Sequence, residues 1–357
     1  MPQLLDPFPL TKNITLPNRI VMAPTTTKGA TVNGTETDAD IAYYRRRSQA
    51  AGMLITGAGL VDPLGEKFSY QLALDDDSKL PGLTKLAKAC HAHGSVAIAQ
   101  LYHAGVNANI AYQKFGKCVG PSAKSFHQLD HPVTELSDAD VEAVIGRFAQ
   151  AAKRALQAGF DGVELHGAYG HLIQQFFSPY SNHRSGKFAA GPAFALAVLA
   201  AVKAAAQAVG KPDAVIGYRL TQSETHADGV GYTIADTLKL VDQLCTAGIT
   251  YIHATEPTDG QALRDAIASR AAFIYVPGAT DLAQAQAGLE YGDLVAMSHA
   301  IVTEPDFAKK LAAGEADQLH FTITSRSQAE DLALPPRMIP WLLGNGPTIA
   351  GMQHIND

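Results

Sequence analysis

The sequence predicts a (β/α)8 TIM barrel formed by a single domain over residues 1–357. Three observations carry that prediction. Eight short, β-rich apolar runs recur along the chain, most followed by a Gly-, Pro- or polar-rich loop and then a helical segment. The runs are almost continuously apolar, as strands buried on both faces of a parallel sheet are. Eight such units suit a closed barrel better than an open doubly wound sheet, because closure leaves no strand edge unpaired.

In order, the strands read RIVMA (19–23), MLITG (53–57), SVAIAQL (95–101), DGVELH (161–166), AVIGYRL (214–220), TYIHATE (250–256), AFIYVP (272–277) and LVAMSH (294–299). Between them lie Ala-rich or 3.6-periodic segments, the clearest being ADIAYYRRRSQAA, LTKLAKACHAHG, DADVEAVIGRFAQAAKRALQAG, PAFALAVLAAVKAAAQAVG and IADTLKLVDQLCTAG. Ser137 stands where a cap belongs, directly before DADVEAV. Residues 102–137 are the longest excursion and, with five Gly or Pro residues, read as a cap over a site. Residues 320–357 have no strand pattern and read as an extension packed on the barrel.

Bulk properties exclude several classes. The composition, 46% hydrophobic and 17% charged, is that of an ordinary globular chain. A net charge of −6 without a basic run disfavours a nucleic-acid partner. The start has no basic region leading into an apolar one, so no signal peptide is expected, and no run approaches the ~20 apolar residues of a membrane span. Cys90, Cys118 and Cys245 are too few and too scattered for a disulfide framework or a metal site, which makes a reducing, cytoplasmic setting the expectation. No metal centre is expected: His91 and His93 read as a solvated helix end. A homo-oligomer is compatible with the sequence.

In barrels the chemistry sits at the C-terminal ends of the strands. Those ends carry Thr25 and Thr26, Ala58 and Gly59, Gln100 and His103, His166 and Tyr169, Arg219 and Thr221, Glu256, Pro277 and Gly278, and Ser298 and His299. Any one of these could simply begin a polar loop. Gln100, His166 and Arg219 lie within apolar strand text, where that explanation is weaker. A lone strand-end histidine is usually structural, but His166 is followed within five residues by Tyr169 and His171. Glycine-containing ends of strands seven and eight commonly bind phosphate. Motifs for mononucleotide or dinucleotide binding, for serine hydrolysis and for zinc proteolysis are absent. Paired strand-end carboxylates are not evident either.

The stretches LPNRIVMAP, AQLYHAG, GPSA, AGFDGVELHGAYGHLIQQFFSPYSNHRSG and DLVAMSHAIVTEPDFAKKL, in this order, resemble the old yellow enzyme family of FMN-dependent ene-reductases and NADH:flavin oxidoreductases over roughly residues 5–315. The resemblance implies FMN at the barrel mouth, reduced by NADH or NADPH, with an enone, quinone or similar small molecule as electron acceptor. It implies backbone contacts to the flavin from Pro24, Thr25 and Ala58, and a Thr26 hydroxyl at its reactive edge. Gln100 would face the pyrimidine edge and Arg219 the N1–O2 side, where positive charge favours the reduced, anionic flavin. Gly278, Ser298 and His299 would receive the phosphate, and His166 would donate to a substrate oxygen.

Three departures from the family pattern stand out. Where the family has H-x-x-[HN]-G-Y, this chain has His166-Gly-Ala-Tyr169-Gly-His171, so a phenol replaces the second donor and an imidazole the proton donor. With reference pKa values of ~6.5 for imidazole and ~10 for phenol, proton delivery should respond to a lower pH range. His299 stands where an arginine usually binds phosphate, and NHRSGKFAAG is a degenerate form of the family's N-x-R-T-D-x-Y-G-G. The expected activity is ping-pong reduction of activated C=C bonds by hydride transfer through flavin N5. Flavin or quinone reduction, NADH oxidation, or flavin binding without catalysis are the alternatives. A fused dienoyl-CoA reductase is not expected, since no Cys-rich iron–sulfur segment follows the barrel.

Overall fold

Alternation within the eight apolar runs decides which side chains fill the barrel and which meet the helices. The computed structural model describes residues 2–124, 129, 131–227, 229 and 231–343, so parts of the capping excursion and the end of the C-terminal extension (344–357) lie outside the described residues. The strands are β1 (Ile20–Met22), β2 (Met53–Ile55), β3 (Val96–Tyr102), β4 (Gly162–Gly167), β5 (Val215–Leu220), β6 (Tyr251–Ala254), β7 (Ala272–Tyr275) and β8 (Leu294–Met297). All pair in parallel, and β8 closes on β1 through Val295↔Ile20 and Met297↔Met22. The closed eight-stranded parallel barrel is therefore present.

Outward residues such as Ala97, Ala99, Val163, Leu165, Ile216, Tyr218 and Ile252 join the core against the helices. Inward residues Val21, Met53, Ile55, Ile98, Val215, Tyr251, Ile274, Leu294 and Ala296 fill the barrel's lower half. Leu10 and Leu16, from an N-terminal hairpin (Phe8–Pro9 with Thr15–Leu16) absent from the sequence reading, plug the base. Gly217 is required here: a Cβ would lie 2.0 Å from the Tyr251 ring. Above this layer the inward positions turn polar, at Gln100, Glu164, His166, Arg219 and His253.

The helices follow the periodic segments: α1 (Asp38–Arg47), α2 (Leu80–Cys90), α3 (Asp138–Ala158), α4 (Ala193–Ala208) and α5 (Ile234–Thr246). Ser137 caps α3 in a reciprocal capping box with Asp140, and Gly159 ends it at φ +105. His91 and His93 are not merely solvated: they bond Asp161 at 2.7 Å and Ser48 at 2.6 Å. Five runs stop short of their predicted ends, at Met22, Ile55, Ala254, Tyr275 and Met297. The residues beyond leave the ladder to form the mouth loops; Gln222, for example, holds the Glu256 carbonyl at 2.8 Å.

The C-terminal segment is tied to the barrel by Arg47, which is fully buried and donates to the carbonyls of Tyr43, Val302 and Leu332. Leu332, Leu334, Met338 and Leu342 join the main core. None of the described helices is long and apolar enough to cross a membrane. The three cysteines are buried and free.

A buried acid pair lies behind the β1 loop. Burial raises Glu36 to about 7 and Asp40 to about 6, from ordinary values of 4.5 and 3.8. Asp40 accepts from Thr27 at 2.6 Å; Lys79, Tyr43 and Tyr44 are the other titratable groups coupled to the pair. The folded state thus holds protons that the unfolded state releases first as pH rises. The pair costs nothing below about pH 4, costs more as pH climbs to about 7, and is constant above that. Melting temperature should therefore fall between pH 5 and 7.5, and Glu36→Gln should flatten the fall and raise Tm at pH 8. Parallel melting curves for the two proteins at both pH values would show that Glu36 is ionised without penalty.

Candidate active site

The polar upper layer opens into a cavity of about 380 Å³ at the C-terminal ends of the strands. Of the predicted residues, Pro24, Thr25, Thr26, Ala58, Gln100, His166, Tyr169, His171, Arg219, Ser298 and His299 all line it. Gly278 does not: it sits exposed past β7 at φ +67. Glu256 is exposed and also outside the lining, while His103 turns away, accepting from the Gly105 N–H at 2.9 Å beside Asp62. Four lining residues escaped the sequence reading, namely Lys67, Phe68, Tyr102 and Trp341.

Two more missed residues form the floor. Glu164 is fully buried; it accepts from the Gln100 amide at 2.7 Å and bonds His253 Nδ1 at 2.8 Å. Burial alone would raise its pKa, but the His253 contact, the Arg219 charge and the Gln100 bond outweigh burial and hold it below the usual carboxylate range. Burial conversely keeps His253 below the usual imidazole value, so it is a neutral N–H donor. A charged residue inside VELH, matched by a histidine inside YIHAT, was the available signal.

Strand register places the functional pair: His166 lies beside Arg219, which lies beside His253. Tyr169 follows in a left-handed conformation (φ +55), uncommon for a bulky residue. Its N–H is held by Thr221 Oγ1 at 3.0 Å, and Gly170 is held by Gln174 at 2.8 Å. Gln175 ties this loop to the β3 loop by donating to the Gly170 and Ala104 carbonyls. Arg219 reaches the Tyr169 hydroxyl at 3.4 Å and stacks on its ring at 5.2 Å. The His166 ring lies 6.0 Å from Tyr169, 4.8 Å from His171 and 5.6 Å from Tyr102.

Burial corrects one expectation. His166 is pushed down to about 3 by burial, with Arg219 adding to the shift, and burial holds His171 well below its usual value. Both imidazoles are neutral at working pH, so His171 does not titrate near the 6.5 that the sequence suggested for proton delivery. Each still has a buried, unpaired Nδ1.

Those unpaired atoms test whether a flavin fits. Arg219 Nε is also buried without a partner, and no side-chain partner of the Thr26 hydroxyl or of the Gln100 amide oxygen occurs among the described residues. A polar, planar heterocycle against Thr26, Gln100 and Arg219 would give those three groups partners and leave His166 free for a second molecule. Thr25 Oγ1 bonds Ser298 Oγ at 2.9 Å, joining the ends of β1 and β8 beside His299, on the side where a phosphate would lie.

Residues 3–318 match the family described as NADH:flavin oxidoreductase / NADH oxidase. The chain belongs to that family. It is 34% identical over 351 residues to the probable NADH-dependent flavin oxidoreductase YqiG of Bacillus subtilis, covering 93% of each chain. It is 36% identical over 359 residues to the NADH:acrylate oxidoreductase of Vibrio harveyi, covering 94% of this chain but 35% of that longer protein. Morphinone reductase in complex with tetrahydroNAD, an old yellow enzyme relative, superposes with a TM-score of 0.78 at 26% identity, covering 94% and 97% of the two chains. Membership in the NADH:flavin oxidoreductase family brings FMN as the cofactor and NADH or NADPH as the reductant.

His299 is exposed, and what burial it has lowers its pKa below the usual 6.5, so it is mostly neutral at pH 7.5 before a phosphate arrives. His299→Arg should tighten FMN roughly tenfold at pH 7.5, the worth of a charge-assisted bond. The difference between the two proteins should narrow as the pH falls through the lowered pKa of His299. Equal dissociation constants at pH 7.5, by flavin fluorescence titration of apoprotein, would show that backbone donors suffice.

Proposed function

We propose that this oxidoreductase reduces the activated C=C bond of an α,β-unsaturated carbonyl compound. The observation that carries the reading is the neutral His166 that lines the mouth cavity, its ring 6.0 Å from Tyr169 and its strand position beside Arg219. FMN, held by Thr26, Gln100 and Arg219, would supply the hydride chemistry that links NADH or NADPH to the β-carbon. His166 and the Tyr169 phenol donate to the carbonyl oxygen, where negative charge develops. Because His166 stays neutral down to about pH 3, its donor strength is constant across the working range. One cavity serving reductant and acceptor in turn supports ping-pong kinetics.

Protonation of the α-carbon falls to water entering past the half-exposed Tyr169, since His171 is not an imidazolium. That neutrality also favours a second reading, quinone or O2 reduction, which needs no carbon protonated.

Separating the readings requires the oxidative half-reaction in stopped flow, for wild type and His166→Ala, with 2-cyclohexenone and with benzoquinone. Losing an oxyanion donor typically costs ~10²–10³-fold. Re-oxidation by the enone should slow by that factor, and by quinone far less. If the variant matches wild type with the enone, His166 is a structural residue.

A further inference from the structure

We propose that Lys67 is the carboxylate-binding residue of this site, and that the electron acceptor is an α,β-unsaturated carboxylate. The proposal rests on the ene-reductase reading and narrows its substrate. Lys67 lines the same cavity as His166, His171 and Arg219, and its charge is felt by both imidazoles. It is partly buried, and burial lowers its pKa. An ammonium in such a position is normally paired. Among the described residues Lys67 has no ion pair or hydrogen bond, and its only close contact of this kind is the Phe68 ring at 5.4 Å. Its neighbour Glu66 is committed to Lys114 at 2.6 Å.

The charge inventory of the cavity sharpens the point. Among the described residues no aspartate or glutamate lines it. The nearest acid, Glu164, lies in the floor and is engaged by Gln100 and His253 beside Arg219. Reduced flavin would balance Arg219. Among the described residues Lys67 is then the one lining cation left without a counter-charge.

The chemistry of the acceptor calls for that cation. A carboxylate already bears one negative charge, and hydride addition at its β-carbon places a second on the resulting enediolate. Neutral donors such as His166 and Tyr169 suit a ketone or aldehyde; a carboxylate needs a neighbouring full charge as well. The step balances as alkene plus NAD(P)H plus H⁺ giving the saturated acid and NAD(P)⁺: the β-carbon gains hydride, the α-carbon a proton, and the carboxylate is unchanged.

The test compares crotonate with methyl crotonate on holoenzyme, for wild type, Lys67→Gln and Lys67→Arg. Binding is read from perturbation of the bound-flavin spectrum, and turnover separately. Wild type should bind the acid more tightly than the ester. Lys67→Gln should weaken the acid about 10- to 100-fold, the worth of a hydrogen bond to a charged group, and move the ester little. Lys67→Arg should retain the preference for the acid. Equal losses for acid and ester, or none for either, overturn the proposal. So does a loss confined to KM for NADH or NADPH, which would assign Lys67 to the nicotinamide phosphates. Acid-selective binding without turnover of either compound would uphold the subsite and instead count against ene-reduction.

Discussion

A carboxylate buried at the top of the barrel core is the constraint around which the site is built. Glu164 has no access to water, so it remains charged only because neighbouring strands each bring it a donor or a cation. Gln100 comes from β3, His253 from β6 and Arg219 from β5. Each is thereby fixed in rotamer and facing. Arg219 in turn orients Tyr169, and the β4–β5 register puts His166 beside Arg219. Replacing the group by apolar residues would be compatible with a stable barrel. What the buried charge provides is a floor whose polar atoms point one way, toward the mouth.

Around His166 and His171 the mouth offers neutral donors, with Arg219 and Lys67 as its lining cations. Burial strips His166 and His171 of their protons and leaves each with a buried, unpaired Nδ1. A neutral site of this kind does not compete with Arg219 for the charge of a reduced flavin. Under the proposed function it would also keep substrate polarisation independent of pH. Relatives differ in what lies beyond this module: YqiG is nearly coextensive with the chain, whereas the acrylate oxidoreductase is almost three times as long.

Much of this was legible in the sequence, because local apolar runs determine strands and because ladder position determines which end of a strand meets ligand. Thr26, Gln100, His166 and Arg219 each sit where an apolar run ends, and each lines the cavity. Glu164 and His253 were not legible. One polar residue inside an apolar strand looks like an isolated exception until closure brings residues 89 positions apart into contact. Lys67 and Trp341 arrive from a loop and from the C-terminal extension, where no periodicity marks direction. Nor does sequence reveal that an imidazole has lost its water, which is why His171 looked like an acid. Gly278 was placed by analogy with phosphate loops, and the chain runs past β7 with that glycine turned outward.

The electrostatics of the floor bear most directly on the flavin. The flavin midpoint potential should be measured for wild type and Glu164→Gln, an exchange that keeps the shape and removes the charge. With Glu164 neutral, the field of Arg219 acts unopposed on the reduced flavin, and the potential should rise. An unchanged or lowered potential in a fully flavin-loaded variant would contradict the claim that this buried carboxylate organises the site.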